Sequence, residues 1–301
     1  MNTDFPENLF EPQPDLKSLY NYKLGIGEKI SKDKTILFCG ICRDVGDVLE
    51  RNILRIHRTG QLFKEYSIFI YENDSTDNTV EILSRYASDN LKYLSENRSD
   101  KDYRQGIDSG EDKWHYNRCV VLSNCRNKYI EYANKNFSHY DYLCVIDLDL
   151  RGGWSYDGIK HGIFTINNEN NIGCVSSYGV LSDYHNNYTL ETVHQSQYLM
   201  YDSFAFRPWG LVGIHILNTA KFNKLQFFRS EDPINVYSNF GGLAIYNMNI
   251  IKDKTYEARQ HKDGFVDPDH VLINEKIIKD SHKIILDPSM IASYSNHKYT
   301  V

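Results

Sequence analysis

No stretch of roughly 18 consecutive apolar residues occurs anywhere in the chain, which excludes a helix built to cross a membrane. The first 15 residues hold three of the seven prolines and lack a basic start followed by an apolar run, so they do not read as a secretory leader. Positive charge is scarce: 34 Lys and Arg stand against 40 Asp and Glu, a formal net charge of -6, which leaves no electrostatic footprint for nucleic acid. The six cysteines, Cys39, Cys42, Cys119, Cys125, Cys144 and Cys174, sit in apolar or helical patterns without the spacing of a disulfide framework, and read as reduced core residues. Cys39-Gly-Ile-Cys42 lies inside an apolar run, and no second pair completes a zinc site. Repeats, low-complexity tracts and linkers are also missing. These absences lead us to expect a soluble, cytoplasmic protein: an extended lead-in over residues 1–30, then one domain over 31–301.

What is present is an alternation of strand and helix. An apolar strand at residues 35–42 is followed by an amphipathic helix ending near Thr59-Gly60, a strand at 66–71, a helix from Thr79, a short strand at 91–94, and a long helix over about 116–135. Such spacing specifies an α/β fold: a mostly parallel central sheet with right-handed crossovers and flanking helices, binding its ligand at the carboxyl ends of the strands. Residues 96–113, dense in charge, are expected to form a surface loop. Beyond Gly152-Gly153 the pattern predicts a short helix at 155–165 and strands at 173–178, 201–206, 240–246, 284–286 and 290–293.

The most informative stretch is 140–154, where the apolar run Tyr142–Ile146 ends abruptly in Asp147-Leu-Asp149. In an extended backbone, residues two apart face the same way, so the two carboxylates converge while Leu148 and Leu150 turn to the core. Two such charges repel and resist burial, and a divalent cation removes that cost. Hard oxygens suit Mg²⁺ or Mn²⁺, which keep positions open for phosphate oxygens, so a nucleoside diphosphate is the natural guest.

Three pieces then stand in order: the strand followed by Glu72-Asn-Asp-Ser-Thr-Asp77-Asn-Thr79, Arg126-Asn127 on a helix, and the strand ending at Asp147-Leu-Asp149. Together they resemble the nucleotide-binding half of GT-A glycosyltransferases. The Glu-Asn-Asp-Ser form and the later Phe240-Gly-Gly-Leu-Ala-Ile-Tyr246 look most like the fungal capsule-associated α-1,3-mannosyltransferase family. The resemblance runs from about residue 34 to 250 and implies a GT-A, Rossmann-like sheet. Residues 31–153 would bind a UDP- or GDP-linked sugar, and 154–301 a glycan or other hydroxyl acceptor.

The resemblance also implies roles. Glu72 would accept hydrogen bonds from the nucleotide, Asp74 and Asp77 would shape the turn or cap the next helix, and Arg126 would fork onto the diphosphate, with Arg43 and Arg118 as weaker candidates. Asp149, helped by Asp147, would hold Mn²⁺ or Mg²⁺, with His297 as third ligand and His270 and His282 as rivals. Asp269, in Asp267-Pro-Asp269-His270, would be the general base of an inverting enzyme; in a retaining one it would only position substrate. Trp154, Tyr156 and Trp209 offer faces for a sugar ring, and Gly241 and Gly242 allow close backbone approach to one. A glycan on the sequon Asn73-Asp-Ser75 would fill the nucleotide pocket, which argues against a secretory home.

Two rivals remain. A sugar nucleotidyltransferase also sets carboxylates on metal, but it would open with a glycine-rich loop, and residues 39–47 hold only Gly40 and Gly46. A non-catalytic carbohydrate-binding protein would keep the aromatics without needing Glu72, Arg126 and the acid pair together.

Overall fold

The computed structural model describes residues 5–98, 113–181, 199–209, 221–262, 264 and 266–294. The first half of the chain runs α1 (Lys17–Ser31), β1 (Thr35–Cys42), α2 (Leu49–Gly60), β2 (Glu65–Asn73), α3 (Thr79–Tyr86), β3 (Leu91–Glu96), α4 (Lys113–Asn136) and β4 (Tyr142–Ile146). There follow β5 (Gly153–Trp154), α5 (Tyr156–Asn168), β6 (Ile172–Leu181), β7 (Leu199–Met200), β8 (Ile234–Val236), β9 (Leu243–Asn247) and α6 (Met248–Ile251). The chain closes with β10 (Arg259–Gln260), β11 (Val266–Asp267), α7 (Asp269–Lys279) and β12 (Lys283–Tyr294).

One sheet in the order β3-β2-β1-β4-β9-β6-β12-β5 forms the centre. Strands β1, β2, β3 and β4 are mutually parallel, as are β6 and β12, while β9 lies antiparallel between β4 and β6. The period of two divides each central strand between two cores. Leu37, Cys39, Leu143 and Val145 join Tyr129 and Ile130 of α4 and Ile273 and Ile277 of α7 on one face. Ile36, Phe38, Tyr142, Cys144 and Ile146 join Ile53 of α2, Leu83 of α3 and Ile159 of α5 on the other. Past Ile146 the alternation continues: Leu148 and Leu150 belong to the second core, so Asp147 and Asp149 fall on the side of α4 and α7.

Several expected elements differ. Residues 1–30 are not an extended lead-in: two short 3₁₀ turns, Glu7–Leu9 and Pro14–Leu16, lead into the helix α1. That helix has no side-chain cap and carries Gly25 and Gly27, so its local signals are poor and packing on α5 stabilises it. A Cβ at Gly27 would lie 1.9 Å from the Lys160 carbonyl oxygen, so only glycine allows this approach. Gly27→Ala is therefore expected to destabilise the fold by about 1–3 kcal/mol, because overpacking against backbone outweighs the roughly 1 kcal/mol gain in helix propensity. Urea unfolding measures it; a stabilised variant would show that α1 is not seated on α5.

Residues 201–206 are turns rather than a strand, with Asp202 at φ 57°, and the local strand is only Leu199–Met200. The two strands expected at 284–286 and 290–293 are one, β12, whose pairing with β6 shifts register between Asp287 and Ile291. Most of the loop expected at 96–113 lies outside the described residues.

Candidate active site

A cavity of about 290 Å³ opens at the carboxyl ends of β1 and β4, bounded by α4, the turns after β7, Phe240 before β9, and the start of α7. Arg43, Arg118, Arg126, Asp147, Asp149, Asp269 and His270 line it, with Tyr201 and Asp202. Residues distant in sequence converge because parallel strands deliver their carboxyl ends to one edge and the helices return over it.

Arg126, on α4, is the electrostatic centre. Its Nε donates to Asp269 Oδ2 at 2.6 Å, and its Nη2 lies 3.6 Å from Asp147 Oδ1. Its side chain is 7% exposed and its guanidinium carbon lies 5.3 Å from the centroid of Phe240. Burial opposes the guanidinium's charge, but Asp269 and other neighbours, Asp147 among them, more than restore it and hold the group charged. Arg126 Nη1 is buried without a hydrogen-bond partner among the described residues.

The acid pair shows the opposite strain. Burial pushes the Asp147 carboxyl up to about 7, and Asp149's negative charge adds to the rise against the pull of Arg126. Asp149 is raised by burial as well. Tyr201 donates from its hydroxyl to Asp147 Oδ2 at 3.1 Å, its ring stacked on Tyr294 at 4.9 Å. Asp147 N donates to the Gly242 carbonyl at 2.9 Å, which fixes the strand tip.

Whether these residues suit a divalent cation follows from that strain. Arg126, its Nη2 3.6 Å from Asp147 Oδ1, only partly offsets the raised proton affinity of the two carboxylates, and an ion would supply the rest of the missing charge. No group of three His, Cys, Asp or Glu forms among the described residues, so an ion held by the two carboxylates would need further ligands, a need that Mg²⁺ and Mn²⁺ commonly meet with water and phosphate oxygens. The donor set fits. His297, expected as third ligand, lies outside the described residues.

Other expected site residues are placed differently. Glu72 is 1% exposed, and its carboxylate accepts from Ser75 N at 2.8 Å and from the Ser95 hydroxyl. It braces its own loop, and its neighbour Asn73 lines the cavity instead. Asp74, at φ 56°, likewise accepts from Arg98 N and Asn73 Nδ2. Asp77 accepts from Thr79 N at the start of α3 and from Gly46 N.

Trp154, expected to meet a sugar, is 1% exposed in the second core, with its indole donating to Thr59. Paired to β12, it is a packing residue. Gly241 and Gly242 form the tight turn before β9, at φ 64° and 89°. A Cβ at Gly241 would meet the Ser177 carbonyl at 2.2 Å, so the close approach Gly241 allows is to a neighbouring strand, while a Cβ at Gly242 would meet the side chains of Leu150 and Tyr201 at 3.0 and 3.2 Å. Trp209 is 57% exposed, and it is not among the residues lining the cavity.

Tyr201, Asp202 and Phe240 were not foreseen as site residues. The run 201–206 alternates like a strand, which hid an acid standing just past a strand end. Burial, together with Asp147 and Asp269, pushes Asp202 up to about 8, so this carboxyl shares the cavity's excess of negative charge.

No protein-family model and no curated protein matches the chain. Among solved structures it is similar to a mannosyltransferase from Pyrobaculum calidifontis in complex with GDP-Man and Mn²⁺, with a TM-score of 0.51 and 11% identity over 95% of this chain and 68% of that one. It is also similar to GalNAc-T7 with UDP, GalNAc and Mn²⁺, with a TM-score of 0.50 and 12% identity over 98% of this chain and 55% of that one. The chain thus spans little more than half the length of the second. Among the described residues, no helix is long and apolar enough to cross a membrane. The mixed α/β sheet with its flanking helices has the fold of the GT-A glycosyltransferases.

Proposed function

We propose that the protein is a metal-dependent glycosyltransferase, moving a sugar from a nucleoside-diphosphate donor to a hydroxyl of a glycan or other acceptor. The observation that carries this reading is the meeting of Asp147, Asp149, Arg126 and Asp269 in one cavity at the strand ends of a GT-A sheet. Both similar structures hold Mn²⁺, one with GDP-Man and one with UDP, which supports a nucleotide-linked donor. Mannose as the transferred sugar has the support of the first of these and of the likeness to capsule-associated mannosyltransferases.

Asp147 and Asp149 are the residues that would hold Mn²⁺ or Mg²⁺, with His297 as a further ligand. A bound ion would supply Lewis-acid stabilisation of the charge developing on the departing diphosphate. Arg126 contributes from the chain itself: its guanidinium, held charged in the cavity, would offer a charge-assisted donor to a phosphate oxygen, and Arg43 and Arg118 line the same cavity. In an inverting reaction Asp269 would take the proton of the acceptor hydroxyl, held in place by its bond to Arg126 Nε.

The test is a panel of nucleotide sugars incubated with the protein and Mn²⁺. Release of nucleoside diphosphate is expected with at least one donor, and chelator should abolish it. Release of pyrophosphate would instead indicate a nucleotidyltransferase. Silence across the panel would leave a carbohydrate-binding protein.

A further inference from the structure

His270, the second residue of α7, lines the cavity, yet neither of its ring nitrogens has a hydrogen-bond partner among the described residues. The residue is 3% exposed. Its ring stacks on Phe240 with centroids 3.8 Å apart and planes 11° from parallel, and it meets Tyr256 edge-on at 5.5 Å. Stacking of this kind needs no nitrogen, and a phenyl ring would serve as well. Buried polar atoms in native proteins nearly always find partners, and leaving two on one ring carries a cost that a ligand can relieve.

The chemistry of the partner follows from the state of the ring. Burial, with the neighbouring Arg126 charge, holds the imidazole well below its ordinary pKa, so it is neutral, with one N–H and one bare nitrogen. Phosphate accepts only, and the charged guanidinium of Arg126, its carbon 5.3 Å from the Phe240 centroid, is the stronger partner for it in the same cavity. A hydroxyl donates and accepts, and so complements a neutral imidazole. Nor does His270 join Asp147 and Asp149 in any three-ligand group, which separates it from the candidate metal site.

We propose that His270 reads the saccharide, hydrogen-bonding a ring hydroxyl of the donor's sugar beside the diphosphate that Arg126 engages. This rests on the transferase reading and adds a specificity-determining residue to it. The comparison uses full-length wild type, His270→Phe, which keeps the stack on Phe240 but removes both nitrogens, and His270→Gln, whose amide restores a donor and an acceptor.

With the preferred nucleotide sugar, His270→Phe is expected to lose about 10- to 100-fold in kcat/KM and to narrow the preference between epimeric donors. Its affinity for the free nucleoside diphosphate with Mn²⁺ should stay within about twofold, and His270→Gln should recover most of the loss. A change confined to acceptor KM would move the contact to the acceptor and overturn the assignment. Unchanged kinetics would mean that ordered water alone satisfies the ring, and equal losses for donor and free diphosphate would mean a collapsed cavity; either result also overturns it. Should wild type turn over no donor, the transferase reading fails by itself, and calorimetry with methyl hexosides decides the role of His270. Binding that weakens in His270→Phe would uphold it, and equal or absent binding would end it.

Discussion

Asp149→Asn is expected to abolish metal-dependent turnover and, at the same time, to make the folded protein more stable. Removing even an outer partner of a metal ligand typically costs 10- to 100-fold, so loss of a direct ligand should lower kcat/KM by at least about 100-fold. The gain in stability follows from the charges. With the Asp147 carboxyl raised to about 7, the folded chain holds a proton between the ordinary carboxylate range and that value that the unfolded chain releases. Stability contributed by this group is therefore lost as pH rises through that window, and at neutral pH and above the pair carries an unrelieved repulsion. Asparagine at 149 removes the like charge, and the melting temperature without metal at pH 8 should rise by about 2–4 °C. Mn²⁺ should raise the melting temperature of wild type and not of the variant, and its affinity for wild type should weaken below about pH 7 as protons compete for Asp147. Turnover by the variant in excess chelator would show that the acids hold no ion the reaction needs, and a lower melting point without metal would show that their repulsion does not strain the fold.

Arg126→Ala should act in the opposite sense, damaging fold and function together. The substitution strands Asp269, 5% exposed, without the donor now 2.6 Å away, and leaves Asp147 and Asp149 without the nearby positive charge that lowers both carboxyls. Breaking a buried pair from one side costs about 3–5 kcal/mol, which denaturant titration would register. Loss of a charge-assisted donor to the leaving group would take a further 100- to 1000-fold from kcat. Arg126→Lys separates the two effects: it keeps a charge near Asp269 and most of the stability, but has no forked guanidinium to reach acid and phosphate together. Equal activity of the lysine variant and wild type would remove Arg126 from the phosphate-binding role.

Strands and acid tip were legible in the sequence for one reason. A fully buried strand is written as an unbroken apolar run, and Tyr142–Ile146 stops at charged residues that cannot continue it. The side of the sheet on which Asp147 and Asp149 fall also follows from the period of two. The helix α1 was not legible, because Gly25 and Gly27 weaken its local signal and its stability comes from contact with a helix more than 100 residues away. A carboxylate at a strand end reads the same whether it meets a ligand or its own loop, which is why Glu72 looked like a nucleotide contact. Trp154 carries the same ambiguity between core and sugar platform. Asp202 depends on a turn with positive φ that nothing in Tyr-Asp-Ser-Phe announces.

The antiparallel strand β9, lying between β4 and β6, carries one further consequence. Its five residues are paired with β4 along their whole length, and the Gly242 carbonyl takes the amide of Asp147. The two halves of the molecule are therefore stitched into one continuous wall by main-chain bonds. No jaw-like swing of one half against the other is open to it without tearing that seam.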